Sequence, residues 1–334
     1  MSLSEPSSVR LHVVTGKGGT GKSTVAAALA LALAGGGRNV LLCEVEGRQG
    51  IARMFDVDPL PYAETRLARG LPDAHGRAGV LHALHIDAES ALMEYLAMYY
   101  KLGRAGKALD RFGVIDFATT IAPGVRDVLL TGKVYEAVRR NARNRGAMTY
   151  DAVVLDAPPT GRITQFLNVN SELAGLARMG PIKGQADNVM GLLRSPETAI
   201  HLVTVLEEMP VTETVDGIAE LTDADLPVGA VIVNMVRPRD LDADHLAAAR
   251  TGSLDRTALA ADLSAARVDV DDRLLDALVG EAHDHAVRRE LEDAQHAVVT
   301  ALGRATVELP RLPGGVDAGA LLEFAAMLRD GGLA

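Results

Sequence analysis

Cysteine and aromatic residues are scarce in this chain, and their scarcity excludes several kinds of site. The 334 residues include one cysteine, Cys43, and no tryptophan, and aromatic residues make up 3% of the total. One cysteine forms neither an internal disulfide nor a C-x-x-C metal site. The core must therefore be built mainly from alanine, leucine and valine.

Long apolar segments and excess positive charge are also missing. No run reaches the ~18 apolar residues of a membrane-spanning helix, and residues 1–10 lack the apolar stretch of a signal peptide. The formal net charge is −10, which argues against non-specific nucleic-acid binding and against an anionic membrane surface as resting partner. We therefore expect a soluble, cytoplasmic protein that does not bind nucleic acid.

Apolar runs of strand length recur along the chain, and helical patterns separate most of them. They cover Leu11–Thr15, Val40–Val45, Val80–Ile86, Ala152–Asp156, Ala199–Leu206, Ala230–Asn234 and Ala305–Leu309. This alternation predicts an α/β fold, a doubly wound and mainly parallel sheet with right-handed crossovers. We expect one domain over residues 1–334, with helical insertions at about 88–147, 168–198 and 237–300.

The most informative segment runs from Gly16 to Ser23, GKGGTGKS, and matches the phosphate-binding loop G-x-x-x-x-G-K-S/T. An apolar strand precedes it, and an Ala/Leu-rich helix of high intrinsic propensity follows it. The same glycines also match the dinucleotide fingerprint G-x-G-x-x-G, with Glu44 in the place of a ribose-binding acid. Lys22 followed by Ser23 favours the phosphate loop. The first helical turn of a dinucleotide fold packs closely on the sheet and has no use for a lysine at that position.

Each part of this loop has a predicted task. Glycines allow the backbone N–H groups to surround the β-phosphate, and the helix N-terminus adds partial positive charge. Lys22 is expected to reach the β- and γ-phosphates of ATP, and the Ser23 hydroxyl is expected to bind Mg²⁺.

Acidic residues follow two of the predicted strands. Asp156 ends the run VVLD, as a Walker-B aspartate does, and is predicted to hold Mg²⁺ directly or through water. Glu44 and Glu46 leave the second strand and, by strand alternation, are expected on one face of it. Glu46 is the stronger candidate for activating the attacking water, and the alternative is that one or both acids lie around Mg²⁺ or are merely solvated.

With Lys17, the loop reads K-G-G-x-G-K-S, and residues 156–167 read DAPPTGRITQFL. These segments resemble the deviant Walker A and switch II of the arsenite-pump and tail-anchored-protein-targeting ATPases. The resemblance covers nearly the whole chain. Its further segments are Ile86-Asp87, Pro123–Asp127, Glu207–Thr214, Val233-Asn234 and Leu309–Leu312.

The resemblance implies a role for each matched residue. Lys17 would reach across a dimer to the phosphates of the partner, and Thr24 would contact the α-phosphate. Asn234, with Pro310 and Arg311, would lie at the adenine. The remaining phosphate-binding positions implied in this way are Gly16, Gly18, Gly19, Thr20, Gly21, Lys22 and Ser23.

The chain also departs from the family pattern. Switch I usually begins Asp-Pro-Ala-His, whereas residues 46–49 are EGRQ, and Arg162 stands where histidine is usual. The cysteines that bind arsenite and those that clasp a zinc-linked dimer are absent, since Cys43 is alone. Because residues 46–49 and Arg162 depart from the family pattern, turnover is expected to be slow.

We expect a Mg²⁺-dependent ATPase whose catalytic residues are Lys17, Lys22, Glu46 and Asp156. ATP would drive assembly of a homodimer, or of a heterodimer with a paralogous ATPase, and hydrolysis would act on a protein client or membrane component. One alternative is a weakly hydrolysing regulatory subunit beside a catalytic paralogue. Another is a septum- or partition-type positioning ATPase, which residues 320–330 fit poorly because they carry one arginine against two acids.

Overall fold

A parallel sheet forms the centre of the molecule in the computed structural model, which describes residues 8–47, 49–73, 75–100, 124–140, 148–176 and 181–334. Its strands are β1 Leu11–Gly16, β2 Asn39–Glu44, β3 Thr65–Arg69, β4 Val80–His85, β5 Ala152–Asp156, β6 Thr198–Thr204, β7 Val228–Val236 and β8 Thr306–Pro310. They lie in the order β3-β4-β2-β5-β1-β6-β7-β8, and only the β3–β4 pairing is antiparallel among these described strands. The predicted fold class is confirmed.

The helices connect successive strands and extend beyond the simple crossovers. They are α1 Lys22–Leu33, α2 Gly50–Met54, α3 Ala88–Tyr100, α4 Val125–Arg139, α5 Thr160–Leu176, α6 Pro181–Leu193, α7 Glu208–Asp223, α8 Ala243–Thr251, α9 Arg256–Ala265, α10 Asp272–Ala301 and α11 Ala318–Asp330. The first predicted insertion contains α3 and α4, the second contains α6, and the third contains α8 to α10. Residues 101–123, 141–147 and 177–180 lie outside the described residues, so the predicted break at Gly180 is not among them.

Helices cover both faces of the sheet, which explains the near-continuous apolar runs of its central strands. On one face, Val14 and Val154 pack in a cluster with α1 and α11; on the other, Val13 and Leu155 pack in a cluster with α4, α5 and α6. Cys43 belongs to the second cluster, where burial raises the pKa of its thiol to about 12. Within the described ranges, no helix is both long and apolar enough to cross a membrane.

Two features of the sheet differ from the sequence prediction. Strand β3, TRLAR, is an edge strand whose residues are half-buried or exposed, so it lacks the apolar run that marks the central strands. Strand β2 ends at Glu44 rather than at Val45, and Glu46 lies in a bend beyond it. The expectation that Glu44 and Glu46 share one face of a strand is therefore wrong, because the pleat does not extend to Glu46.

A pair of histidines lies buried in the centre of the sheet. His201 on β6 accepts a hydrogen bond from Ala230 N at its Nδ1, so its Nε2 donates to His12 Nδ1 on β1, 3.2 Å away. Gly229 leaves room for this ring, because a Cβ there would lie 2.8 Å from His201 Nδ1. Burial lowers the pKa of His201 to about 4 and lowers the pKa of His12 as well. Both rings are therefore neutral in the folded chain.

This pair predicts that acid destabilises the fold. Unfolded histidines titrate near pH 6.5, so between pH 6.5 and about 4 the unfolded chain binds more protons than the folded one. The free energy of unfolding should fall across that window, by at most about 1.4 kcal/mol per pH unit for each histidine. Urea unfolding at pH 7.5, 6.0 and 5.0 measures it. His12→Asn keeps an acceptor near Nδ1 but does not titrate, so its free energy of unfolding should depend less steeply on pH. An unchanged pH dependence contradicts the conclusion that His12 is buried in its neutral form.

Candidate nucleotide site

The phosphate loop joins β1 to α1, as the motif requires. Gly16 and Gly21 have φ angles of +153° and +87°, which side chains rarely tolerate. A Cβ on Gly16 would lie 2.1 Å from Val203 O, and one on Gly21 would lie 2.3 Å from Asn234 Nδ2. No atom comes within 4 Å of a Cβ built on Gly18. Atoms of β6 and β7 thus pack against the backbone of this loop at Gly16 and Gly21, and the loop is open at Gly18, where a phosphate would bind.

Ser23 and Asp156 meet beside the loop. The Ser23 hydroxyl donates to Asp156 Oδ2 over 2.5 Å, and Lys22, at the start of α1, is buried close by. Burial raises the pKa of Asp156 to about 6; the Ser23 hydrogen bond and the Lys22 charge oppose this rise, whereas Glu44 and Glu46 add to it. The sheet order produces this arrangement, since β5 lies between β1 and β2 and pairs Asp156 with Val14 and Glu44.

These residues fit a magnesium ion. Mg²⁺ prefers oxygen ligands and is usually held by one or two carboxylates together with substrate phosphates. A serine hydroxyl and a buried carboxylate face each other here, and Glu44 and Glu46 add negative charge. The residues that could hold the ion are therefore the two that the sequence indicates, Ser23 and Asp156.

Glu44 and Glu46 occupy different surroundings. Glu44 is buried, and its Oε1 accepts a hydrogen bond of 2.8 Å from Gly50 N. Glu46 is half-buried in the bend after β2, beyond the strand end. Arg48, the third residue of the segment EGRQ, lies outside the described residues.

Lys17 bonds within its own chain. Its Nζ lies 2.5 Å from Glu213 Oε1 on α7, and Glu213 Oε2 accepts a hydrogen bond of 3.2 Å from Thr160 Oγ1 at the start of α5. Glu213 therefore links the phosphate loop to the switch II segment. Glu213 lies in the segment 207–214, which resembles the family, but the sequence does not predict its partner because 196 residues separate it from Lys17.

The ends of β7 and β8 lie on the other side of the loop. Asn234 donates to Thr20 O over 2.8 Å, and Val236 O accepts from Arg311 N over 2.8 Å beside Pro310. Met235 between them has a φ of +58° and is 44% exposed, a strained conformation for a methionine. The structure thus brings Asn234, Pro310 and Arg311 to one edge, and Thr24 on the first turn of α1 faces Met54 instead. Nothing in the sequence distinguishes Met235.

Both switch segments approach the start of α4. Arg162 lies 3.7 Å from Asp127, and Arg126 donates to Val45 O over 3.4 Å. Burial raises the pKa of Asp127, although the charges of Arg162 and Arg126 oppose that rise. Of the matching segment 123–127, Pro123 lies outside the described residues.

Comparison with known proteins identifies the family. The model of the anion-transporting ATPase family matches residues 9–196, more than half of the chain. The chain belongs to this family. ATPase BagA of Mycobacterium tuberculosis is 50% identical over 98% of this chain and 94% of its own length.

More distant relatives agree with this assignment. The ATPase ASNA1 homolog of Entamoeba dispar is 23% identical over 71% of this chain and 82% of its own length. ATPase get3 of Schizosaccharomyces japonicus is 24% identical over 70% of this chain and 77% of its own length. The resemblance to the arsenite-pump and tail-anchored-protein-targeting ATPases is thereby confirmed, and this member of the anion-transporting ATPase family is an ATP hydrolase that binds ATP.

The packing beneath the loop predicts which glycine tolerates a side chain. Gly21→Ala should lower the free energy of unfolding by about 2 kcal/mol or more, because its Cβ meets Asn234 and its φ is positive. Gly18→Ala is the matched control, with open space around its Cβ, and should change stability by less than about 0.5 kcal/mol. Urea unfolding without nucleotide measures both. Equal effects contradict the packing described here.

Proposed function

We propose that this ATPase is Mg²⁺-dependent and that its ATP-bound form associates as a dimer that acts on a protein client or membrane component. One observation carries the proposal: Lys22, Ser23 and Asp156 meet beside an open phosphate loop, with Glu46 on the neighbouring segment. These groups are what phosphoryl transfer to water requires.

ATP binding rests on the loop and its lysine. The backbone N–H groups of residues 16–22 surround the β-phosphate, and the N-terminus of α1 adds partial positive charge. Lys22 places its ammonium group against the β- and γ-phosphates. Ser23 and Asp156 would hold Mg²⁺, and the bound ion would supply positive charge against the negative charge that develops on the phosphate oxygens.

Hydrolysis requires a water in line with the bond to be broken. Glu46 accepts a proton from this water as its oxygen attacks the γ-phosphorus, and the bond from that phosphorus to the β–γ bridging oxygen breaks. The products are ADP and inorganic phosphate. The position of Glu46 supports this role, since the residue is half-buried and its charge contributes to raising the pKa of Asp156.

Dimer formation would use Lys17. Two ammonium groups on one phosphate site repel each other, so a lysine beside Lys22 is more useful across an interface. Its present partner, Glu213, holds it within the chain at a side-chain exposure of 26% for the lysine. Exchanging Glu213 for the phosphates of a partner subunit would tie ATP binding to association. A homodimer, a heterodimer with a paralogue and a cytoplasmic location remain predictions from the sequence.

The position of α11 weighs against the septum- or partition-type alternative. Leu321, Phe324, Ala325 and Leu328 are buried in the cluster that contains α1. The apolar face of this C-terminal helix is therefore committed to the core, and a membrane-binding helix needs that face free. The regulatory-subunit alternative rests on the departures from the family pattern at Glu46 and Arg162.

The first experiment measures ATP binding and ATP turnover separately. Lys22→Ala should weaken ATP binding at least tenfold, because charge-assisted contacts contribute about 2 kcal/mol. Glu46→Gln should bind ATP normally but lose most turnover, by about 100-fold. Isothermal titration calorimetry and phosphate release are the readouts. Normal ATP binding by Lys22→Ala contradicts the loop assignment. A parent chain without turnover, alone or beside a paralogue, favours the regulatory subunit.

The second experiment tests the role of Lys17 between subunits. Lys17→Ala should leave ATP binding to the monomer intact and abolish the nucleotide-dependent increase in mass. Sedimentation with a non-hydrolysable ATP analogue and Mg²⁺ measures this increase. Arg311→Ala is the control for a general loss of nucleotide binding, because Arg311 lies at the predicted adenine position on the other side of the phosphate loop. Identical association of parent and Lys17→Ala chains excludes the mechanism.

A further inference from the structure

Glu44 performs a task in the structure that neither the motif nor the family assignment indicates. It is the last residue of β2 and is buried, and its Oε1 accepts a hydrogen bond of 2.8 Å from Gly50 N. Gly50 is the first residue of α2, whose N-cap residue, Gln49, makes no capping hydrogen bond with its side chain. Glu44 thus supplies the acceptor that the first turn of a helix needs.

The side chain of Gln49 forms its hydrogen bonds with Leu60, which follows α2 in the chain. Its side-chain amide donates to Leu60 O over 3.1 Å and accepts from Leu60 N over 2.8 Å. Its φ of +52° is unusual for a residue other than glycine, and the two bonds hold it there. The side chain of Glu44 therefore closes residues 44–50, and the side chain of Gln49 closes the adjoining residues 49–60.

Glu46 lies inside this closed loop. Glu44 joins the end of β2 to the start of α2, and Glu46 and Gly47 lie in a bend between the two joined residues. Gly47 has a φ of +67°, as a tight reversal requires. The distance that the Glu46 carboxylate can reach toward the phosphate loop is set by where this loop is closed.

The two oxygens of Glu44 have different surroundings. Among the described residues, Glu44 Oε2 is buried without a hydrogen-bond partner and lies 3.7 Å from His85 Nδ1. His85 Nδ1 also has no hydrogen-bond partner there. The Ser23 hydroxyl points to Asp156, not to Glu44. The contact of Glu44 with the backbone therefore depends on the length of its side chain and on its acceptor oxygen.

We propose that Glu44 is a positioning residue for ATP hydrolysis: its hydrogen bond to Gly50 N holds the loop that presents Glu46 to the attacking water. This inference rests on the proposed role of Glu46. This hydrogen bond requires reach and an acceptor oxygen at position 44, and it does not require negative charge.

Two conservative variants separate these properties. Glu44→Gln keeps the length and the acceptor oxygen but loses the charge. Glu44→Asp keeps the charge but is one methylene shorter and does not reach Gly50 N. Displacement of a reacting group by about 1 Å costs on the order of 100-fold in rate, so we expect kcat of Glu44→Asp to fall about 10- to 100-fold. Glu44→Gln should retain about half of kcat or more, and KM for ATP should change less than about twofold in both, since the phosphate loop is untouched.

Steady-state ATP hydrolysis by the full chain with Mg²⁺ gives kcat and KM. Hydrogen exchange of the segment containing residues 45–54 gives an independent readout, and should accelerate in Glu44→Asp but not in Glu44→Gln. Glu323→Asp, on the exposed face of α11, is the matched control for shortening a glutamate. Thermal unfolding confirms that each variant is folded.

Low activity of Glu44→Gln together with normal activity of Glu44→Asp would overturn the proposal, because charge rather than reach would then be required. Parent-like turnover in both variants would overturn it equally. Failure of the underlying function is distinguishable: there, Glu46→Gln turns over like the parent, or the parent chain does not bind ATP. The proposal stands when Glu46→Gln is impaired, Glu44→Asp is impaired and Glu44→Gln is largely active.

Discussion

The buried carboxylate of Asp156 is the constraint on which the rest of the site depends. A carboxylate removed from water is costly unless it is paired or hydrogen-bonded, and its pKa rises as a result. At Asp156 burial is the largest effect, and Ser23 and Lys22 oppose it from the first turn of α1. That turn must therefore begin close to the end of β5. The phosphate loop meets this requirement, since it reverses the chain within a few residues by means of glycines whose backbone packs against Val203 and Asn234.

Sheet order converts this local constraint into a reaction site. Strand β5 lies between β1 and β2, so the residues that leave the carboxyl ends of three adjacent parallel strands converge. The loop comes from β1, Asp156 ends β5, and Glu44 ends β2. In doubly wound folds, ligands bind at this edge because the connections diverge there. The same geometry puts β7 and β8 on the opposite side of the loop, away from the acids, where Asn234 supports the loop backbone.

The sequence predicts the parts of this site that local patterns encode. The loop motif, the apolar strand that ends in Asp156 and the central strands follow from short segments, because both faces of those strands are buried. It does not predict β3, whose residues are mixed in polarity at a sheet edge, nor the end of β2 at Glu44. The sequence also does not predict the hydrogen bonds of Lys17 with Glu213 and of Gln49 with Leu60, because these depend on how separate connecting segments pack against each other.

The start of α4 is where the two switch segments meet the helical extension. Arg126 contacts the main chain of Val45 beside switch I, and Asp127 lies close to Arg162 of switch II. Gly124, which precedes α4, has a φ of +96°, and a Cβ there would lie 3.1 Å from Val169 on α5. These contacts connect both switch segments to one helix end. Movement of either switch segment would therefore have to break these contacts or carry the start of α4 with it.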